Sequence, residues 1–223
     1  RRVSVSTFAS FASLWLLPRL PSFQQAHPDI DIRVSATDAL ADLDDPELDV
    51  VLRYCHPDDA PAGARRLFGE VLGPVVGASL AEQVRRGRVP PLDRPADLAQ
   101  HTLLEEEDQR PSGEFVSWRH WLQRQGVPTL QPARWVVLNY TYQQIQAALA
   151  GQGVALARLA MVDEPLQRGD LVEPFGPTAR AGSPYAYWLA RGGAAVDRPE
   201  LQAFEQWLLG RAAGSRAALG EAA

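Results

Sequence analysis

RRVSVSTFASFASLWLLPRLPSFQQAHPDIDIRVS, residues 1–35, decides the fold class. Val3 and Val5 alternate with polar neighbours, the pattern of a half-buried strand. Ser6-Thr7 then stands where a helix cap belongs, and Phe8, Phe11, Leu14, Trp15 and Leu17 follow at helical spacing. Beyond His27-Pro28-Asp29, a second strand shows Ile30, Ile32 and Val34 on one face. Strand, helix and strand in so short a stretch make a right-handed β-α-β unit with parallel strands. The turn after the first strand aims backbone N–H groups and the Ser6 and Thr7 hydroxyls beyond the strand's carboxyl end, where open α/β sheets take ligands. The chain opens on Arg-Arg-Val rather than Met and reads as a piece of a longer protein.

Further strands continue the α/β rhythm. Leu48–Tyr54 runs apolar through Val50, Val51 and Leu52, as in a parallel strand covered on both faces. A Pro/Gly/Asp-rich loop occupies 56–63, and an extended stretch follows over 66–77, broken near its middle by Gly73-Pro74. Leu103-Leu104 marks a strand after His101. Ser112 is placed to cap a helix bearing Phe115, Trp118 and Leu122, closed by Gly126 and Pro128. A strand over 135–138 leads to a helix capped by Asn139 or Thr141, the latter in a capping-box pattern with Gln144. Ile145, Ala148 and Leu149 face inward there, and Gly151 ends it. Short strands at 154–157 and 171–175 flank a helix near 161–167, and 185–190 is a late strand. Asp197 with Glu200 caps the last helix, with Pro199 in its first turn and Leu201, Phe204, Trp207 and Leu208 as its buried stripe. The tail after Gly210 is expected to fray.

The bulk properties exclude several classes. With 223 residues the chain suits two lobes, and 46% hydrophobic with 22% charged residues is ordinary globular composition. No apolar run approaches the ~18–20 residues of a membrane helix. A net charge of −5 leaves no basic surface for duplex nucleic acid within this chain. A single cysteine, Cys55, allows no internal disulfide and fits a reducing cytoplasm, and its expected role is a small apolar filler. His27, His56, His101 and His120 show no metal spacing and read as structural or surface residues. Glu105-Glu106-Glu107-Asp108 reads as a solvated acidic loop, its other reading being a cleft wall for a cationic ligand. The tryptophans at 15, 118, 121 and 207 read as core.

Hydroxyl-bearing and polar residues gather at strand ends: Ser6-Thr7, Thr37-Asp38, Arg53-Tyr54 and Asn139-Tyr140-Thr141. Each alone is an ordinary cap or turn group. Together they outline a polar small-molecule cleft of the kind doubly wound sheets carry. Arg53 is the candidate for a ligand carboxylate, because its guanidinium forks onto one; its other reading is an internal ion pair with Asp38 or Asp49.

An ordered set of motifs resembles the effector-binding domain of LysR-type transcriptional regulators. It comprises Phe8-Ala-x-Phe-Ala-x-x-Trp-Leu-Leu-Pro-Arg-Leu, Phe23-Gln-Gln-Ala-His-Pro-Asp-Ile-Asp-Ile-Arg and Leu48-Asp-Val-Val-Leu-Arg-Tyr, then Trp118-x-x-Trp-Leu, Gln146-Ala-Ala-x-Ala-Gly-x-Gly-Val-Ala-Leu, Gly169-x-Leu-Val-x-Pro-Phe, Tyr187-Trp188 and Phe204-x-x-Trp-Leu. The subgroup it resembles holds the glycine-cleavage activator and the β-lactamase regulator. The resemblance implies an α/β fold of two Rossmann-like lobes joined by two crossover strands, like a type 2 periplasmic binding protein, with an effector cleft between the lobes. Lobe I would be 1–74 plus 178–223 and lobe II 75–177, with the winged helix-turn-helix domain upstream of Arg1. The implied effector contacts are Ser6, Thr7, Phe8, Thr37, Asp38, Arg53, Tyr54, Val76, Gly77, Asn139, Tyr140, Thr141 and Tyr187. Cys55, Gly77-Ala78 and Asn139 depart from the subgroup's residues.

The expected function is therefore effector sensing and oligomerisation in a cytoplasmic bacterial LysR-type regulator. Its partners would be a small polar effector, such as a carboxylate or amino-acid-like compound, and further copies of itself as a homodimer or homotetramer. DNA would be touched only through the absent domain, and neither membrane, cofactor nor metal is expected. The alternative is a solute-binding protein of a transport system. Nothing supplies a nucleophile–base pair, so an enzyme is not expected.

Overall fold

In the computed structural model the described residues, 1–222, divide into two compact units: Arg1–Glu70 together with the chain from Pro184 onward, and Val71–Ser183. The strands are β1 (Arg2–Thr7), β2 (Asp31–Ala36), β3 (Val50–Cys55), β4 (Arg65–Gly77), β5 (Thr102–Glu106), β6 (Arg134–Leu138), β7 (Val154–Arg158), β8 (Leu171–Val172) and β9 (Ala181–Arg191). The helices are α1 (Ala9–Phe11), α2 (Leu17–Ala26), α3 (Ala78–Arg85), α4 (Gly113–Val116), α5 (Trp118–Arg124), α6 (Thr141–Leu149), α7 (Asp163–Arg168) and α8 (Pro199–Leu219). β4 and β9 carry the chain across the two junctions.

In the first unit the strand order is β2-β1-β3-β9-β4. β1 is parallel to β2 from Arg2↔Asp31 to Thr7↔Ala36, and parallel to β3 at Val5↔Val50 and Ser6↔Val51. The β-α-β unit read from residues 1–35 is thus present. β1 is not half-buried, however: Ser4 and Ser6 are buried with Val3 and Val5. β1 is paired on both sides and, separately, covered on both faces, and serine is small enough to accept that. The Ser4 N–H donates to Asp49 Oδ2 at 2.9 Å.

Neither Ser6 nor Thr7 caps the first helix. Phe8 holds the cap position without a side-chain bond, and Asp38 Oδ1 accepts the Ala9 N–H at 3.2 Å instead. α1 widens into a π-turn over Ala12–Leu16, where the Leu17 N–H reaches back to Ala12 O. The extra residue in that turn rotates the stripe. Phe11, Ala12, Trp15, Leu16, Leu20 and Phe23 are buried, while Leu17, expected inward, is 48% exposed.

The last helix also differs from expectation. Arg198 precedes it without a side-chain cap, and Asp197 is taken by Arg191 at 2.7 Å. It passes through Gly210 and Gly214 to Leu219 rather than fraying. Trp15 Nε1 donates to Ser215 Oγ at 2.8 Å, and Arg216 Nη1 to Leu67 O at 2.6 Å. Glu221 accepts the Gly69 N–H at 2.7 Å. These bonds anchor a segment whose Ala-rich composition alone predicts no packing.

In the second unit the order is β4-β7-β5-β6, with β8 on the end of β4. β5 is parallel to β6 and β7, and β4 is antiparallel to β7. Gly73-Pro74 does not break β4; the two residues pair with Ala157 and Leu156. Only alternate residues need donate to a given neighbour, so a proline is tolerated there. The single helix expected from Ser112 is two, because Ser117 is extended (ψ 144°) and its Oγ caps α5 by accepting the His120 N–H. Trp118 and Trp121 lie in the core, their indoles donating to Leu104 O and Ala179 O. Leu149, expected inward, is 41% exposed, and the strand expected over 171–175 is only β8.

Gly77, at the carboxyl end of β4, is held by a close backbone approach. A Cβ there would sit 2.4 Å from Ala148 O in the backbone of α6. Gly77→Ala is expected to lose about 2–3 kcal/mol of stability, measured by urea denaturation, because a backbone oxygen cannot swing aside.

Candidate functional site

The residues expected to contact an effector fall into two groups, one in each unit. In the first unit they sit at the carboxyl ends of β1, β2 and β3. The pairing Ser6↔Val51, carried on by Tyr54↔Tyr187, sets Thr7, Tyr54 and Tyr187 on one sheet face and Ser6 and Arg53 on the other. The Thr37 N–H donates to Thr7 O at 2.9 Å, and Thr37 Oγ1 accepts the Ala39 N–H at 3.2 Å. Tyr187 is buried, donates to Glu70 Oε2 at 2.8 Å, and lies with its ring 4.9 Å from Tyr54 and 6.2 Å from Phe8.

Two polar atoms in this group are buried without a protein partner: Thr7 Oγ1 and Arg53 Nε. Arg53 spends Nη2 on Ala41 O, at 2.7 Å. Neither acid expected as its internal partner takes it. Asp38 caps α1, and Asp49 is held by Arg198 at 2.7 Å and by the Ser4 N–H. A buried donor or acceptor left unmatched costs about 1–3 kcal/mol, so these two atoms are the ones a polar ligand would satisfy.

In the second unit, Val76 and Gly77 are buried, paired with β8, and Gly77 lies close against α6. Asn139 is exposed, and Tyr140 stacks on Tyr142 at 5.3 Å. Neither Asn139 nor Thr141 caps α6; the cap residue is Tyr140, with no side-chain bond. The Thr141 hydroxyl donates to Glu106 Oε1, and Gln144 Nε2 to Leu104 O at 2.9 Å, which replaces the expected capping box.

The acidic run is not a solvated loop. Glu106 is buried and accepts from Arg158 Nε at 3.0 Å; Arg158 Nη2 is 3.5 Å from Asp108, and Arg110 closes on Asp108 at 2.8 Å. Burial pushes the Asp108 acid up, but the bonds from the Arg110 side chain and backbone, joined by the charges of Arg110 and Arg158, outweigh it and hold the acid below its usual range. Glu105, one residue earlier on the opposite face of β5, meets no cation. Burial first, then the neighbouring Glu106 charge, raises it to about 7, against a bond from the Trp118 N–H at 3.1 Å. This network was missed from sequence; its signal was Arg158 ending an otherwise apolar strand.

The remaining candidates are structural. The His27 ring packs on Phe23 at 4.8 Å, His101 Nε2 meets Pro91 O at 3.0 Å, and burial raises the Cys55 thiol. Among the described residues no group of three His, Cys, Asp or Glu side chains is placed to hold a metal ion. No described helix is long and apolar enough to cross a membrane.

Comparison with known proteins gives one consistent answer. Residues 1–213 match the family described as the LysR substrate binding domain. The glycine cleavage system transcriptional activator of Escherichia coli is 32% identical over 214 residues, 96% of this chain and 66% of that protein. The HTH-type transcriptional activator AmpR of Pseudomonas aeruginosa is 34% identical over 212 residues, 95% of this chain and 66% of that protein. The chain thus spans 66% of the length of these curated relatives. The effector domain of P. aeruginosa AmpR superposes with TM-score 0.71 at 32% identity, covering 98% of this chain and all (100%) of that one. The AmpR effector binding domain of Citrobacter freundii gives 0.70 at 25% identity, covering 96% and 99%.

Two measurements check this geometry. Arg158→Met leaves Glu106 without its counter-charge, and is expected to cost about 3–5 kcal/mol by chemical denaturation. Glu105 has a folded-state pKa raised above its ordinary value of 4.5 to about 7. Its contribution to stability is therefore fully present below the unfolded value and is lost as pH rises through 7. Glu105→Gln removes that dependence. Relative to wild type, the variant should gain about 1–2 kcal/mol between pH 5 and pH 8, after a discount for partial exposure.

Proposed function

This chain belongs to the LysR substrate-binding domain family, and from that membership we propose that it is the effector-sensing and oligomerisation domain of a bacterial LysR-type transcriptional regulator. The observation that carries the reading is the pair of unmatched buried atoms, Thr7 Oγ1 and Arg53 Nε, at neighbouring strand ends of the first unit. The two lie on opposite faces of the sheet but at its shared edge, the carboxyl ends of β1 and β3. The reading therefore requires a small ligand that lies across that edge, with a carboxylate for Arg53 and a second polar group for Thr7. Ser6, Phe8, Thr37, Asp38, Tyr54 and Tyr187 complete the proposed contacts in that unit. Val76, Gly77, Asn139, Tyr140 and Thr141 are the proposed contribution of the second. Lobe boundaries near residues 74 and 178 belong to the same proposal.

The mechanism is a population shift. An effector that binds one arrangement of the domain better than another biases the equilibrium by the difference in its affinities, and no further. In a homodimer or homotetramer in the cytoplasm, that bias would reset the pose of DNA-binding domains carried elsewhere in the protein. The relatives named as transcriptional activators support regulation over solute transport. Their family and names also give no support to an enzyme.

A thermal-shift screen of this chain against amino acids, small carboxylic acids, aromatic acids and cell-wall peptides tests the reading. A ligand at a hundred times its Kd stabilises the folded state by about 2.7 kcal/mol. Thr7→Ala and Arg53→Ala are each expected to weaken the hit at least tenfold, or about 1.4 kcal/mol. A hit that both variants retain at full strength overturns the strand-end site.

A further inference from the structure

Among the described residues, the first half of β4 has an edge that is met by a helix end instead of a strand. The ladder to β7 covers Leu72–Val75. Nearer the start of β4, the Leu67 carbonyl and the Gly69 N–H point to one side of the strand, two residues apart. One residue of a neighbouring parallel strand would fill such a pair, donating to the carbonyl and accepting the N–H. Here the end of α8 does so with side chains. Arg216 Nη1 donates to Leu67 O at 2.6 Å, and Glu221 Oε1 accepts the Gly69 N–H at 2.7 Å. Arg66 closes on the same carboxylate at 3.0 and 3.3 Å.

Three features make this contact releasable. Gly220 turns the chain after α8 with φ 75°, a conformation that glycine adopts freely, so Glu221 swings from one backbone position. The Arg66 and Glu221 side chains are 45% and 19% exposed, so water replaces their bonds as they part. The buried side chains of α8 beyond Gly210 are Ala212, Ser215 and Leu219, a small apolar area. A segment held mainly by a few bonds within reach of water opens at less cost than the whole unit. Residues 1–213 match the LysR substrate binding domain, so these bonds come from residues beyond the matched stretch.

The strand that receives them also backs a proposed effector contact. Trp15 Nε1 donates to Ser215 Oγ at 2.8 Å, and the Trp15 ring packs on Phe68 at 5.5 Å. Phe68 packs on Tyr187 at 4.8 Å, and the Tyr187 hydroxyl donates to Glu70 Oε2 at 2.8 Å. Phe68 and Glu70 flank Gly69, so both supports of the Tyr187 ring belong to the stretch that the end of α8 holds.

We infer that residues 215–221 form a releasable latch on β4 and that its closure positions Tyr187. Gly220 is the hinge, Glu221 the closing group and Tyr187 the residue that the closed latch sets. The latch and its hold on Tyr187 need no ligand. The consequence for sensing rests on the reading of the strand ends as the effector site: a ligand touching Tyr187 and the closed latch then favour one another by the same factor.

Hydrogen exchange and tyrosine resonances of the ligand-free chain, labelled with ¹⁵N and with ¹³C-tyrosine, test both parts. Two variants open the latch from opposite sides. Glu221→Ala removes the acceptor. Gly69→Ala sets a Cβ against Glu221 Oε1 and Arg66 Nη2, two flexible side-chain tips that move aside. Each is expected to lower the protection of the residue-69 amide, corrected for its intrinsic rate, by about tenfold or more, while Val3 and Val5 of β1 stay as protected as in wild type. The double variant should match either single one, because both break one contact. The Tyr187 ring signals should shift in both single variants. Glu221→Gln keeps an oxygen for the Gly69 N–H and should restore the protection and the Tyr187 signals, since an exposed ion pair adds little. Unchanged protection at residue 69, or an equal loss at Val3 and Val5, overturns the latch. Tyr187 signals that stay in place while residue 69 opens overturn its positioning role. The ligand screen with Thr7→Ala and Arg53→Ala is a separate measurement, so failure of the effector reading and failure of the latch are told apart.

Discussion

The buried guanidinium of Arg158 is the group on which the second unit's strand ends depend. An arginine side chain 3% exposed is tolerable only when carboxylates neutralise it and further bonds occupy its planar fork. Glu106 supplies the charge from the end of β5, and Asp108 adds a second from the loop beyond it. Glu106 in turn takes the Thr141 hydroxyl, which fixes the start of α6, and Asp108 takes Arg110 and the Ser112 hydroxyl. One cation thus ties two strands, a loop and a helix start. Removing it would strand Glu106 in a place from which water is excluded and leave Asp108 to Arg110 alone, which is why this cluster behaves as a single structural element.

The first unit handles its polar strand ends differently. Its internal pairs lie elsewhere: Asp49 with Arg198 under β1, and Glu205 with Arg191 and Arg65 on α8. At the carboxyl ends of β1 and β3, Thr7 and Arg53 keep unmatched polar atoms. In the second unit the equivalent polar residues are consumed by one another, as Thr141 is by Glu106. Among the proposed contacts, the unmatched polar atoms therefore lie in the first unit, while Thr141 in the second is taken by Glu106. Under the proposed function, that asymmetry puts Thr7 and Arg53 ahead of Asn139–Thr141 as the contacts to mutate first.

Much of the fold was legible because it rests on periodicity. The alternation at Val3 and Val5, the apolar run at 50–52 and the glycines at 126 and 151 each report a local geometry, and the strands and helix ends they mark are present. What failed depended on side-chain partners that spacing along the chain does not reveal. Ser6, Thr7, Ser112, Thr141 and Asp197 all look like caps, but tertiary bonds claimed the helix starts or the residues themselves. The tail after Gly210 looked unable to pack, since small residues carry little driving force; it is held by Ser215, Arg216 and Glu221, through bonds to residues 15, 67 and 69. The π-turn after Phe11 displaced the helical stripe by part of a turn, and no spacing rule anticipates that.

Glu105 and Glu106 make the same lesson sharper. Composition treats them as one acidic run, and an acidic run belongs in water. Yet β5 continues through both, and consecutive residues of a strand point to opposite faces. One face brings Glu106 to Arg158, and the other sets Glu105 beside Val137 with a single backbone N–H for company. The two carboxylates, adjacent in sequence, end in opposite electrostatic states: one neutralised inside a network, the other desolvated and uncompensated. A protein that keeps an uncompensated acid against an apolar wall gives up stability there at neutral pH. Structural closure explains Glu106 in full, whereas Glu105 is governed by burial and one backbone N–H, so its carboxyl stays protonated to a higher pH than its neighbour in sequence would suggest.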